Sequence, residues 1–272
     1  MQSPAKYIDI REVIRQKNPG LLTWLPFFVL RYIKRILHED EINAFMAEHG
    51  HTTGIEFVHK IIEGFGAKVA VTGTEHIRSS GGVIYAANHP LGGMDAIAFM
   101  HILGAYRTDM KFLVNDILTN IKNLEPLFVP VNKHGNQARG AIQALDETLR
   151  SEEALLVFPA GLVSRKQPHG IADLEWKKTF ISQARRYKKD VIPVYIEGRN
   201  SDFFYNLARF RKMLGIKANL EMFYLADEMF AQKGKKIVIH IGKPIPYAYF
   251  DRSKTEKEWA EHVKQLVYQL AP

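Results

Sequence analysis

The chain has 272 residues, 46% of them hydrophobic and 24% charged, with no cysteine. That is room for a sizeable core, and it excludes disulfides, thiolate nucleophiles and Cys-ligated zinc. The formal charge is +8, and residues 164–217 alone carry 13 basic against 5 acidic side chains, an excess as large as that of the whole chain. A field so concentrated points to an anionic partner: nucleic acid, an acidic membrane, or a phosphorylated substrate or carrier. Solvated helix faces are the plainer alternative.

In chain order, the start Met1-Gln2-Ser3-Pro4-Ala5-Lys6 lacks an apolar core behind a basic region and does not read as a secretory signal. Residues 1–66 read as a helical N-terminal segment, broken by Asn18-Pro19-Gly20 and again around Gly50 to Gly54. Its greasiest stretch, Leu21 to Leu30, is half the length a helix needs to cross a bilayer. Trp24, Phe27 and Phe28 precede Arg31, Lys34 and Arg35, as in a helix lying in a membrane interface. A helix packed on its own domain would carry a similar apolar side. Thr53 is placed to cap a helix running to about Glu63, with Gly64 and Gly66 ending it. His49 and His51, the only closely spaced histidine pair, lack carboxylates at ligand spacing and read as a surface turn.

From residue 67 the texture changes, so Gly66 is the expected boundary between the helical segment and a body spanning 67–272. β-Rich runs at 67–73, 82–88, 110–114, 127–132, 154–160, 190–198 and 236–242 alternate with helical patterns near 94–104, 136–150, 175–188, 202–213 and 253–270. Such alternation predicts an α/β fold: a largely parallel, mixed sheet covered by helices.

Active groups in open α/β sheets gather beyond the carboxyl ends of strands. After the apolar run 83–87 comes Asn88-His89-Pro90-Leu91-Gly92-Gly93-Met94-Asp95. Pro90 keeps His89 extended, Gly92 and Gly93 allow a tight reversal, and Asp95 falls in the first turn of a helix. The turn can bring Asp95 back onto one imidazole nitrogen, leaving the other as a base. No Ser or Thr adjoins His89, and there is no G-x-S-x-G elbow, so such a base would activate a hydroxyl of the substrate. A structural strand–turn–helix corner would use the same residues. At a second strand end, Phe158-Pro159-Ala160-Gly161 leads through Ser164 to Arg165 and Lys166, a loop suited to a phosphate or an oxyanion. A third ends in Asn132, Lys133 and His134, and a fourth in Glu197, Gly198 and Arg199.

Taken in order, these segments resemble the four sequence blocks of the glycerolipid (lysophosphatidate-type) acyltransferase family, nearest its bacterial hemolysin-like branch. Asn88-His89 with Asp95 is similar to the N-H-x-x-x-x-D block, 127–133 to F-I-x-R, Phe158-Pro159-x-Gly161 to F-P-E-G-T-R, and Val191–Val194 to V-I-P-V. The resemblance covers about residues 83–200. It implies a glycerol-3-phosphate acyltransferase-like fold and an O-acyltransferase moving a fatty acyl group from acyl carrier protein or a CoA thioester to a lyso-lipid hydroxyl. It implies His89 as general base and Asp95 as its orienting partner, with no metal, resident cofactor or acyl-enzyme. Asn88, Gly92, Gly93, Lys133, Phe158, Pro159, Gly161, Ser164, Arg165 and Arg199 would line the substrate site. Four departures stand out: five residues rather than four separate His89 from Asp95, Ala160 replaces the usual Glu, Leu162-Val163 the usual Thr-Arg, and Lys133 the usual Arg. They weigh against glycerol phosphate as the acceptor more than against acyl transfer, because Lys does not replace a bidentate guanidinium.

The expected setting is peripheral, on the cytoplasmic face of the inner membrane, with the 177–189 and 209–217 cations facing anionic lipid or an acidic carrier. A non-catalytic, peripheral lipid-binding protein with a degenerate acyltransferase fold is the competing reading. Nucleic acid is not expected, since no RNP-like, zinc-finger or helix-turn-helix signature is present.

Overall fold

In the computed structural model, residues 6–114, 120–131 and 137–272 are described. Five helices lead the chain: α1 (Ile10–Lys17), α2 (Pro19–Trp24), α3 (Phe27–Ile36), α4 (Glu39–His49) and α5 (Gly54–Phe65). The Asp9 carboxylate caps α1 by accepting from the Arg11 and Glu12 amides, and the Asn18 side chain caps α2 ahead of Pro19. Thr53 occupies the N-cap position of α5, but its side chain makes no capping hydrogen bond. Gly64 does not end α5 either. It lies inside the helix, where the Phe45 ring comes within 3.1 Å of the place a Cβ would take. Gly66, at φ 57°, closes the helix in the left-handed region that glycine tolerates.

Each of the seven β-rich runs forms a strand of one sheet: β1 (Lys68–Thr72), β2 (Val83–Ala87), β3 (Met110–Val114), β4 (Phe128–Pro130), β5 (Ala154–Val157), β8 (Asp190–Ile196) and β9 (Lys236–Ile241). Their order is β1-β9-β8-β2-β5-β3-β4, parallel throughout except where β8 meets β9. Pro193 is tolerated inside β8 because the β9 ladder begins only at Val194, beside which the Gly242 amide donates to the Pro193 carbonyl. A short antiparallel hairpin, β6 (Arg165–Gln167) and β7 (Gly170–Ala172), stands apart from the sheet. The sequence pattern did not foreshadow it, since three-residue strands carry no usable period.

The helices α6 (Gly93–Leu103), α7 (Gln137–Arg150), α8 (Thr179–Tyr187), α9 (Asp202–Met213) and α11 (Glu256–Tyr268) fall on the five helical patterns, and α10 (Leu225–Phe230) is an addition to them. Alternate side chains of β2 enter opposite cores. Val83, Tyr85 and Ala87 pack with α5 and α6, whereas Ile84 and Ala86 pack with Phe180 of α8 and Trp259 of α11. Every residue of β2 is therefore buried, and its carboxyl end opens at the middle of the sheet.

Candidate active site

At that carboxyl end, Gly92 adopts φ 74° and ψ −130°, a conformation only glycine reaches readily, and begins α6. The reversal returns Asp95 to the residues before it. His89 Nδ1 and Asp95 Oδ2 lie 2.8 Å apart, and the Leu91 amide donates to the same carboxylate at 2.9 Å. Asp95 is fully buried, while 17% of the His89 side chain remains exposed. Burial pushes the Asp95 carboxyl above its usual range, opposed by its hydrogen bonds to His89 and the Leu91 amide. The geometry orients the ring through Nδ1, and among the described residues Nε2 has no hydrogen-bond partner. Leu91 is held in turn by Gly198, at φ 145°, where a Cβ would fall 2.7 Å from the Leu91 side chain.

Two further groups fix the imidazole. The Phe158 ring stacks on it, with centroids 4.1 Å apart and planes inclined by 17°, and Phe112 braces Phe158 edge-on at 5.2 Å. The His89 backbone is clamped from both sides: its N–H donates to Asp173 Oδ1 at 3.2 Å, and its carbonyl accepts from the Ser164 amide at 2.7 Å. Ser164 Oγ closes the loop by donating to Asp173 Oδ1 at 2.6 Å. Trp176 Nε1 donates to the other carboxylate oxygen, and Lys264 and Tyr268 of α11 hold the Asp173 backbone. Nothing in the local sequence singles out Asp173. It lies 84 residues from His89 just after β7.

Other anticipated residues have different duties. Asn88 is buried and completes a rung between β2 and β8, its amide donating to the Ile196 carbonyl at 2.9 Å and accepting the Ile196 N–H at 2.7 Å. Arg165 is not open to a head group. It is buried, donating to Glu221 at 3.0 Å and to the Val163 carbonyl, and Arg211 shares the same Glu221 carboxylate. No residue near Arg165 in the chain signals this, because Glu221 lies 56 residues away in a short 3-10 turn. Arg199 is exposed and pairs with Asp202. Pro159 and Gly161 form the turn after β5, in which the Gly161 amide donates to the Phe158 carbonyl at 3.0 Å. Gly92 and Gly93 leave room for α10: a Cβ on either would meet Leu225 at 3.3 Å or Met229 at 3.4 Å. Lys133, with Asn132 and His134, lies outside the described residues.

Such an arrangement can accept a proton at Nε2 from a hydroxyl brought to it, while the buried carboxylate stabilises the resulting imidazolium. Ser164, directed at Asp173, is not aligned to be a nucleophile. Among the described residues, no three His, Asp or Glu side chains gather as a metal ion would require.

A family model described as "Acyltransferase" matches residues 12–271, nearly the whole chain. The chain belongs to the acyltransferase family. Its relatives include proteins named lyso-glycine lipid O-acyltransferase from Bacteroides thetaiotaomicron, 47% identical, and from Phocaeicola vulgatus, 44% identical. Both alignments run over 264 residues, 97% of this chain and 97% and 95% of those proteins. Among solved structures, the chain resembles the 1-acyl-sn-glycerophosphate (LPA) acyltransferase PlsC from Thermotoga maritima, with a TM-score of 0.50 and 20% identity over 96% of this chain and 98% of that one. That likeness bears on the fold, and the acyltransferase shares its mixed α/β architecture.

Proposed function

We propose that this acyltransferase esterifies a lyso-lipid, with lyso-glycine lipid as the acceptor, taking the acyl group from acyl carrier protein or a CoA thioester. His89 Nε2 removes the acceptor's hydroxyl proton as its oxygen attacks the thioester carbonyl. The C–S bond breaks, the new ester forms, and the departing thiolate recovers the proton from His89. Asp95 orients the ring and balances its transient charge. The thioester is a co-substrate in this reading, which calls for no resident cofactor or metal. The names of relatives similar over nearly the full chain support the acceptor. The observation that carries the chemistry is the 2.8 Å contact between His89 Nδ1 and the buried Asp95. Burial of Arg165 against Glu221 supports an acceptor that needs no guanidinium from this loop to hold a phosphate.

The enzyme works at an anionic membrane surface as a peripheral protein on the cytoplasmic face, contacting lipid through α2 and α3, where Trp24 is 87% exposed. No helix among the described residues is long and apolar enough to cross a membrane.

The test offers the purified protein a labelled acyl thioester with lyso-glycine lipid or lysophosphatidate and resolves the products. Transfer to lyso-glycine lipid, lost in His89→Ala, is the expected result. Equal transfer to lysophosphatidate would remove the head-group assignment, and labelled free fatty acid as the main product would indicate hydrolysis. Absence of turnover with either acceptor would favour a non-catalytic lipid-binding role.

A further inference from the structure

Large hydrophobic side chains are not bare at random in this protein. Twelve of the eighteen exposed ones among the described residues fall within 21–32 or 203–223. At the tips stand Trp24, Phe27, Phe28, Met213 and Phe223, with exposures of 87, 78, 71, 73 and 63%. Though far apart in sequence, the two segments touch. Tyr32 and Tyr224 share a hydroxyl–hydroxyl hydrogen bond of 2.9 Å, and the Phe203 ring packs against Tyr224 with centroids 4.9 Å apart. Soluble proteins seldom leave a contiguous apolar surface of this kind uncovered.

The lobe at 203–223 is bare above but anchored beneath. Phe204 and Tyr205 on the inner side of α9 form a small core with Val163 of the loop after β5. Under it, Arg165 and Arg211 converge on Glu221, all three buried, and the Arg165 guanidinium lies over the Phe204 ring at 5.0 Å. Exposure here is therefore a fixed property of the surface rather than a sign of loose packing.

Charge indicates what covers it. The only acid in 203–223 is the buried Glu221, and 19–37 has no acid at all. The exposed charges of the two segments are Arg31, Arg35, Arg209, Lys212 and Lys217, and none of them forms an ion pair among the described residues. We propose that the 203–223 lobe is a second lipid-contacting element, which joins α2 and α3 in one bipartite face seated on an anionic bilayer. Aromatic, Met and Leu tips enter the boundary between head groups and acyl chains, and the interspersed cations meet anionic lipid heads. A second copy of the chain is a poor occupant, because a two-fold contact would set cations against cations. Through Val163 and α10 the same lobe adjoins the Gly92-Gly93 turn, so docking would bring His89 close to the surface from which a lyso-lipid is drawn.

This inference rests on the lipid acceptor proposed above, but its test does not depend on turnover. Flotation with vesicles of phosphatidylglycerol and phosphatidylcholine, against phosphatidylcholine alone, reads partitioning directly. The Phe210→Ser/Met213→Ser/Phe223→Ser variant, whose altered side chains are all exposed, is expected to lose at least about tenfold in partitioning. The Arg209→Gln/Lys212→Gln/Lys217→Gln variant is expected to lose about fivefold per charge on anionic vesicles and little on neutral ones. Thermal unfolding, recorded alongside, should match the parent for both. Parent-like flotation of the folded Ser variant would overturn the proposal. So would parent-like flotation accompanied by loss of binding to acyl carrier protein or of a dimer, since the lobe would then serve a protein partner. Failure of acyl transfer with flotation intact would remove the catalytic reading and leave the lipid face standing.

Discussion

The two ends of the central strands are both lined with buried polar groups, yet only one has chemistry left over. At the amino end, the Arg107 guanidinium donates to the carbonyls of Arg78, Gly81 and Glu152 and forms a two-pronged contact with Asp109. Lys189 donates to the Ser151 carbonyl beneath it. Those cations knit together the loops that begin β2, β3 and β5. At the carboxyl end the buried carboxylates of Asp95 and Asp173 are equally well satisfied, but what they hold is His89, whose ring still reaches the surface. A polar cluster whose members bond only to one another supports the fold. One that converges on a partly exposed, titratable ring can also act on a substrate.

Substitutions at the two ends should separate these roles. Replacing His89 with Ala is expected to lower acyl-transfer turnover by about a thousandfold, with a nearly unchanged melting temperature. A large drop in melting temperature would instead make His89 a structural residue. Arg107→Ala should do the reverse, removing a buried guanidinium from three carbonyls and the Asp109 carboxylate at a cost of about 3 kcal/mol in denaturant unfolding, with turnover per folded molecule retained. Asp173→Asn lies between them. Loosening the His89 backbone should cost about tenfold in kcat with KM little changed. An effect on KM alone would turn Asp173 into a binding group.

The smallest effect at neutral pH concerns the helical N-terminal segment. Burial pushes the Glu39 carboxyl upward, but hydrogen bonds from Lys34, Lys6 and the Ile10 amide outweigh it and hold the pKa at about 2. Because the folded value lies below the ordinary one, this stabilisation is complete above roughly pH 4.5 and fades as pH falls towards about 2. Acid titration followed by circular dichroism should show that loss, and Glu39→Gln should flatten the dependence across the same window.

The sequence patterns anticipated the sheet because each of its strands is a local apolar run, and β2, buried on both faces, is the plainest of them. They anticipated the meeting of His89 and Asp95 because both groups lie on one turn, whose single unusual backbone position falls on a glycine. They failed for Arg165, a cation after a glycine-containing loop that suggested an anion site. Its partner Glu221 is set by a distant turn, and pairing it with Arg211 left no free guanidinium.

The amino-acid order alone thus determined the strand and helix rhythm, the glycine-allowed reversal and the pair of groups it joins, since each depends on residues within a turn or two. Tertiary structure decided which charges are used internally and which face outward. It set Asp173 beneath the His89 backbone, buried the arginines of the 164–217 window at 165 and 211, and left those at 199 and 209 exposed. The physical reason is that a charged side chain takes its role from whatever carboxylate or carbonyl the fold brings within about 3 Å, and for Asp173 and Arg165 that partner lies 84 and 56 residues away in the chain.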